Sequence, residues 1–246
     1  MLKNIRIVLI EPSHPGNIGA AARAMKTMGL TSLYLVSPKT FPSEIATARA
    51  ANAADVLEAA RVVDTFEQAI YDCQFVYGSG SEGREHPWPI VTPRELVKTI
   101  SEIPDDAQIA VVFGQERFGM SNEELKFCHG QIQIPTHPLY RSLNLASAVQ
   151  IVCYELSFLG KMSLSECKKA TQLPAPFAKR EMLYQRIEAL AAKTGYLNLT
   201  KPMKFPVQIR HFLTKVALSG KEVDILLGVL TSLNNEQNAS STKNSR

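Results

Sequence analysis

The segment Pro15-Gly16-Asn17-Ile18-Gly19-Ala20-Ala21-Ala22-Arg23 holds the first residues suited to chemistry. It follows an apolar run over residues 5–10 that predicts a strand, and it opens an Ala-rich stretch that predicts a helix. A glycine-bearing loop entering a helix leaves backbone N–H groups without intrahelical partners, a natural seat for a phosphate. Gly19 and Arg23 are four apart and share one helix face, so a backbone can approach over Gly19 beside a fixed cation. Two later segments repeat this scheme. Phe113-Gly114-Gln115-Glu116-Arg117-Phe118-Gly119-Met120-Ser121 is a strand end, a two-glycine turn and a helix start. Ile132-Gln133-Ile134-Pro135 leads in turn to Ser142-Leu143-Asn144-Leu145-Ala146. Each alone is an ordinary turn and cap. Together they deliver three loops to one sheet edge, where open α/β folds bind ligands.

A fourth glycine loop is a decoy. Gly78-Ser79-Gly80-Ser81-Glu82-Gly83 spells Gly-x-Gly-x-x-Gly, but it runs into Arg84-Glu85-His86-Pro87-Trp88-Pro89. Two prolines flanking a tryptophan do not propagate the helix that a pyrophosphate site needs. A dinucleotide-dependent oxidoreductase therefore loses its required context, although the loop still suits ligand contact at the end of a strand.

Strands are predicted over residues 5–10, 33–36, 61–63, 75–77, 109–113 and 131–134, and helices are predicted between them. Thr92-Pro93-Arg94-Glu95 and Ser121-Asn122-Glu123-Glu124 are capping boxes. Ser142 precedes, and as a preferred cap residue would begin, a helix striped by Leu145, Val149, Val152 and Leu156. Alternating strands and helices imply an α/β fold, a mainly parallel sheet with helices on both faces, over residues 1–160. The composition shifts near Lys161, and Pro174-Ala175-Pro176 marks a linker over 161–178. A helical extension over 179–234 follows, with helices near 179–193, 208–218 and 222–233. The polar tail 235–246 is expected to be disordered.

Charge separates the two parts. Residues 165–221 hold 11 Lys/Arg against 3 Asp/Glu, while the whole 246-residue chain is only +4. Such asymmetry suits a polyanionic partner, with a solvated helical face as the plain alternative. No apolar run is long enough to cross a bilayer, and the N-terminus lacks a signal-peptide core. The four cysteines show no Cys-x-x-Cys spacing and no His-Glu-x-x-His is present. The expectation is a cytoplasmic protein with reduced thiols, no metal site and no membrane partner.

The order strand, Gly-Asn-x-Gly-x-x-x-Arg, then Phe-Gly-x-Glu-Arg, then Ser-Leu-Asn-Leu-Ala resembles the three signature motifs of the SPOUT class of RNA methyltransferases. Within it, the match is to the branch that methylates the ribose 2′-oxygen of cytidine or uridine in tRNA. The resemblance covers residues 1 to about 160, and the basic helical tail is similar to that branch's C-terminal extension. It implies a deep trefoil knot, which general rules of chain threading would not suggest. It also implies a homodimer with sites near the interface, and S-adenosylmethionine as donor with S-adenosylhomocysteine as product. The target would be a pyrimidine at position 32 of the anticodon loop. By motif position Ser79, Gly80, Ser81, Gly114, Ile134, Arg141, Ser142 and Leu143 would line the cofactor pocket. Arg23 and Ser142 would be catalytic. Asn17, Arg23, Arg84 and Glu116, with Lys179, Arg180, Lys204 and Arg210 in the extension, would meet RNA. The loop 79–81 departs from the family's usual Thr/Ser-Ala pattern, and Arg141 stands where smaller residues are commoner. A guanidinium stays protonated far above neutral pH, so Arg23 is expected to hold a phosphate and stabilise charge on the 2′-oxygen rather than take its proton. The alternative is an RNA-binding protein that keeps the fold without catalysis, or a methyltransferase acting on another tRNA position or on rRNA.

Overall fold

The apolar run Ile5–Ile10 forms β1, and all six of its residues are buried. A strand without alternation must be covered on both faces, as the centre of a parallel sheet is. The computed structural model describes residues 1–80, 89–160, 172–198 and 204–243. Its elements divide between two units, Met1–Thr171 and Gln172–Arg246.

In the first unit β1 is followed by α1 (Pro15–Thr27), β2 (Ser32–Val36), α2 (Glu44–Ala50), α3 (Ala54–Glu58), β3 (Arg61–Val63), α4 (Phe66–Ile70) and β4 (Phe75–Ser79). Then come β5 (Ile90–Val91), α5 (Pro93–Ser101), β6 (Ile109–Phe113), α6 (Asn122–Leu125), β7 (Gly130–Ile132) and α7 (Leu145–Leu156). The seven strands make one sheet in the order β3-β2-β1-β6-β4-β7-β5. Every neighbouring pair is parallel. Ile7 lies beside Leu33 on one side and Val111 on the other, so the register joins three apolar strands into the core.

Both expected capping boxes form, Thr92 with Glu95 and Ser121 with Glu124. One strand was not legible in the sequence: β5 has only two residues, too few to show a period. The last strand ends at Ile132, not at Ile134, which leaves 133–143 as a long loop leading to α7. Among the described residues no helix is long and apolar enough to cross a membrane. Cys73, Cys128 and Cys153 are buried and form no disulfide among the described residues, and Cys167 lies outside those residues.

The second unit holds α8 (Phe177–Lys193), α9 (Phe205–Val216) and α10 (Gly220–Lys243). Its core is Ala175, Leu183, Tyr184, Leu213 and Val223. Helix α8 begins inside the expected linker, and α10 continues to Lys243, into the stretch expected to be a disordered tail.

Candidate active site

The C-terminal ends of three adjacent strands, β6, β4 and β7, open onto one cavity of about 350 Å³. It takes Ser79 and Gly80 from β4, the loop 114–119 from β6, and Ile132 to Leu143 from the long loop after β7. Every described residue expected to hold a cofactor lines it: Ser79, Gly80, Gly114, Ile134, Arg141, Ser142 and Leu143. Ser81 and Arg84 lie outside the described residues. The cavity's size suits a small-molecule site. Its walls combine apolar side chains (Ile132, Ile134, Leu143, Leu145) with the side-chain-free backbone of Gly80 and Gly114. That mixture fits a nucleoside: a flat ring between aliphatic groups, with backbone N–H and C=O groups at its polar edges.

The loop 114–119 folds back tightly on itself. Gly119 donates its N–H to the Gln115 carbonyl at 2.8 Å and adopts φ +65°. A Cβ on Gly114 would lie 2.2 Å from the Gly119 carbonyl carbon, so only glycine fits there. The turn thrusts Glu116 toward the start of α1. One carboxylate oxygen accepts from Ser13 N at 3.1 Å, His14 N at 3.3 Å and Asn17 Nδ2 at 3.0 Å. The other accepts from Ser13 N at 3.0 Å and Ser13 Oγ at 2.9 Å. Burial works to raise the Glu116 carboxyl, but hydrogen bonds led by those from Asn17 and Ser13 outweigh it and bring it down to about 2. The Gly16 N–H is engaged too, by Nδ1 of His14 at 3.0 Å.

These contacts correct the first expectation. The anion seat at the start of α1 is filled by a carboxylate of the same chain, not left open for a phosphate. Glu116 and Asn17, expected to meet RNA, tie two loops to a helix. Asn17 continues the chain of contacts, accepting from Nδ2 of Asn144 at 3.0 Å. The Oδ1 of Asn144 accepts from Ala146 N at 2.9 Å and Ser147 N at 3.4 Å. Asn144 is thus the cap of α7, a role expected of Ser142. Sequence reasoning missed Asn144, although an Asn directly before Leu145-Ala146 is itself a cap signal. Ser142, released from capping, keeps its hydroxyl exposed on the cavity.

Gly19 also differs from expectation. The backbone that approaches Gly19 is α2: a Cβ there would lie 2.0 Å from the Ala46 carbonyl oxygen. Sharing that face, Arg23 looks onto a second cleft with Lys26, Thr27, Ala50 and Asn52, and does not line the main cavity. Lys26 there is held by the Asn52 carbonyl at 2.8 Å and by Asp55 at 2.7 Å.

In the second unit the expected RNA-binding residues divide. Arg210 pairs with Glu181, their side chains 13% and 17% exposed, and stacks on Tyr184 with its guanidinium 3.4 Å from the ring centre. Lys179 binds Asp224 at 2.7 Å. Both therefore brace the helices of this unit. Arg180 is half-buried, whereas Lys204 is exposed.

Residues 4–154 match the SpoU rRNA Methylase family. The chain is 41% identical over 237 residues to the tRNA (cytidine/uridine-2'-O-)-methyltransferase TrmJ of Yersinia pestis, covering 95% of this chain and 92% of that one. It is 42% identical over 241 residues to the tRNA (cytidine/uridine/adenosine-2'-O-)-methyltransferase TrmJ of Pseudomonas aeruginosa, covering 94% of each. Its fold is similar to the crystal structure of TrmJ from Z. mobilis ZM4, with a TM-score of 0.82 and 33% identity over 93% of this chain and 98% of the other.

Proposed function

The chain belongs to the SpoU rRNA Methylase family, and from that premise we propose that it transfers a methyl group from S-adenosylmethionine to a ribose 2′-hydroxyl of tRNA. The substrate class follows the names of its relatives. The finer target is a cytidine or uridine at position 32 of the anticodon loop. The observation that carries this reading is the convergence of three adjacent strand ends on one nucleoside-sized cavity. The family's trefoil knot and homodimer belong to the same proposal.

Methyl transfer to a hydroxyl is an in-line displacement: the bond from oxygen to methyl carbon forms as the bond from carbon to sulfur breaks, and the hydroxyl loses its proton. S-adenosylmethionine, when bound, supplies a methyl group already activated by positive sulfur. The chain's task is alignment, which can supply about 7–11 kcal/mol of such a barrier. Gly80, Gly114, Ile134 and Leu143 would hold the donor through backbone and aliphatic contacts, with Ser79 beside them. Ser142 would orient the ribose hydroxyl and pass its proton on to solvent water. Arg23 would grip the substrate phosphate and stabilise charge building on the 2′-oxygen. Because Arg23 does not line its own chain's cavity, its role requires a second copy, with Arg23 of the partner subunit completing each site.

Mixed dimers test this. Tritiated S-adenosylmethionine and unmodified tRNA are given to the parent protein, to Arg23→Ala, to Ser142→Ala and to a purified dimer of the two variants. Each variant alone should lose most activity, and the mixed dimer should recover about half of the parent's, since one of its sites is intact. An inactive mixed dimer refutes the shared site. A parent that binds tRNA without labelling it refutes catalysis and leaves a binding protein. Mass-spectrometric mapping of the labelled nucleotide tests position 32.

A further inference from the structure

The two loops that wall the cavity each carry an aromatic ring into solvent. Phe118, on the cavity's edge, is 72% exposed, and Tyr140, next to the cavity residue Arg141, is 78% exposed. Leu139 beside it is 89% exposed. Isolated exposed apolar side chains are common on protein surfaces. Phe118 lines the cavity, and Leu139 and Tyr140 stand directly before its lining residue Arg141, so the three are not scattered singly. The loops that carry them are held firmly. Phe118 rides on the turn fixed by Gly114, Gly119 and the Glu116 carboxylate. Tyr140 closes a turn by donating its N–H to the His137 carbonyl at 2.9 Å, and Arg141 donates Nε to the Pro138 carbonyl at 3.2 Å.

The rings are accompanied by cations. The Arg117 guanidinium lies 5.8 Å from the Phe118 ring centre, and Arg141 follows Tyr140 directly. An aromatic face beside a guanidinium suits a flat ring on a negatively charged backbone, which is what a nucleotide of RNA presents. Building on the proposed function, we propose that Phe118 and Tyr140 form the base platform of the site, stacking the nucleobase whose ribose enters the cavity. Stacking engages a ring face and leaves the hydrogen-bonding edge unread. The platform therefore holds the nucleotide in place with little discrimination between bases.

The experiment pairs Phe118→Ala and Tyr140→Ala with two tRNAs. One is intact, and the other is abasic at the nucleotide the parent methylates, with its 2′-hydroxyl kept. Methyl transfer, tRNA affinity, S-adenosylmethionine affinity and oligomeric state are measured for each protein. On intact tRNA each variant should lose roughly ten- to a hundredfold in kcat/KM, and Phe118→Tyr should recover most of its share. Removing the base should cost the parent a similar factor and cost the variants little more. Donor affinity and oligomeric state should not change. A variant defect that persists in full on abasic tRNA overturns the platform. So does a parallel loss of donor affinity, which would make the rings walls of the donor pocket, or dissociation of the protein, which would make them a subunit interface. If the parent labels no tRNA, the proposed function fails, and comparing its affinity for intact tRNA and for tRNA abasic at position 32 still decides whether the rings stack a base.

Discussion

Replacing Glu116 with Gln should reveal how strongly one carboxylate holds the site together. The side chain keeps its shape but loses its charge and one acceptor oxygen, which weakens its hold on Ser13, His14 and Asn17 at the start of α1. A carboxyl brought from its ordinary 4.5 to about 2 represents about 3 kcal/mol at full value. Solvent screening of this half-buried group reduces that to about 1–2 kcal/mol. The sign follows from the direction of the shift. A folded-state pKa below the unfolded one stabilises the protein fully above about 4.5, and the contribution fades as pH falls toward 2. Urea unfolding followed by circular dichroism, on parent and Glu116→Gln from pH 7 down to pH 3, measures this. Near neutrality the variant should be about 1–2 kcal/mol less stable, and the gap should shrink steadily below pH 4.5. A gap of constant size across this range, or none at pH 7, would refute the view that an ionised Glu116 clamps the loop to α1.

Other substitutions separate packing from chemistry. Gly19→Ala drives a methyl group against the Ala46 carbonyl; forcing α1 and α2 apart should cost about 1–3 kcal/mol, visible as a lower melting temperature. Asn144→Ala removes the cap of α7 and its bond to Asn17; about 1 kcal/mol of stability should go, and hydrogen exchange should quicken in the first turn of α7. Arg210→Gln leaves Glu181 without its partner in a shielded place, which should cost about 3 kcal/mol in denaturant titrations. Neutralising the exposed Arg186, Lys204 and Lys215 together should leave the melting temperature nearly unchanged. It should also flatten the salt dependence of tRNA binding by roughly 0.7–0.9 in log–log slope for each phosphate that no longer meets a cation.

Much of this molecule can be read from short-range pattern. The strand at residues 109–113 is a continuous apolar run, that at 5–10 is apolar apart from Arg6, and Thr92 and Ser121 announce their helices within four residues. The cavity residues were legible through the resemblance, which assigned them by motif position on loops that follow strand ends. What was not legible is long-range. Nothing near Glu116 in sequence says that its partners are Ser13 and Asn17, some hundred residues earlier. Arg210 shows only a basic residue in a basic block until Glu181 and Tyr184 fold against it. Between Ser142 and Asn144 cap propensity does not choose; the choice falls to where α7 starts, and it starts at Leu145.

The filled N-terminus of α1 has a consequence for the reaction. Helix N-termini and guanidinium groups are the two anion receptors that the Gly16 to Arg23 segment offers. Glu116 occupies the first, and a phosphate brought there would meet its negative charge. The second, Arg23, faces the cleft beside α2. On the proposed function, a phosphate held by Arg23 would lie away from the chain's own cavity, while the ribose still has to reach a cavity of this kind. A second copy, whose cavity takes the ribose while this chain's Arg23 holds the phosphate, would reconcile the two demands. On the proposed function, a site built from two chains would make dimerisation a requirement of methyl transfer rather than an accessory to it. A monomeric form of the protein that keeps donor affinity should therefore retain almost no activity on tRNA, as measured by label transfer at matched protein concentration.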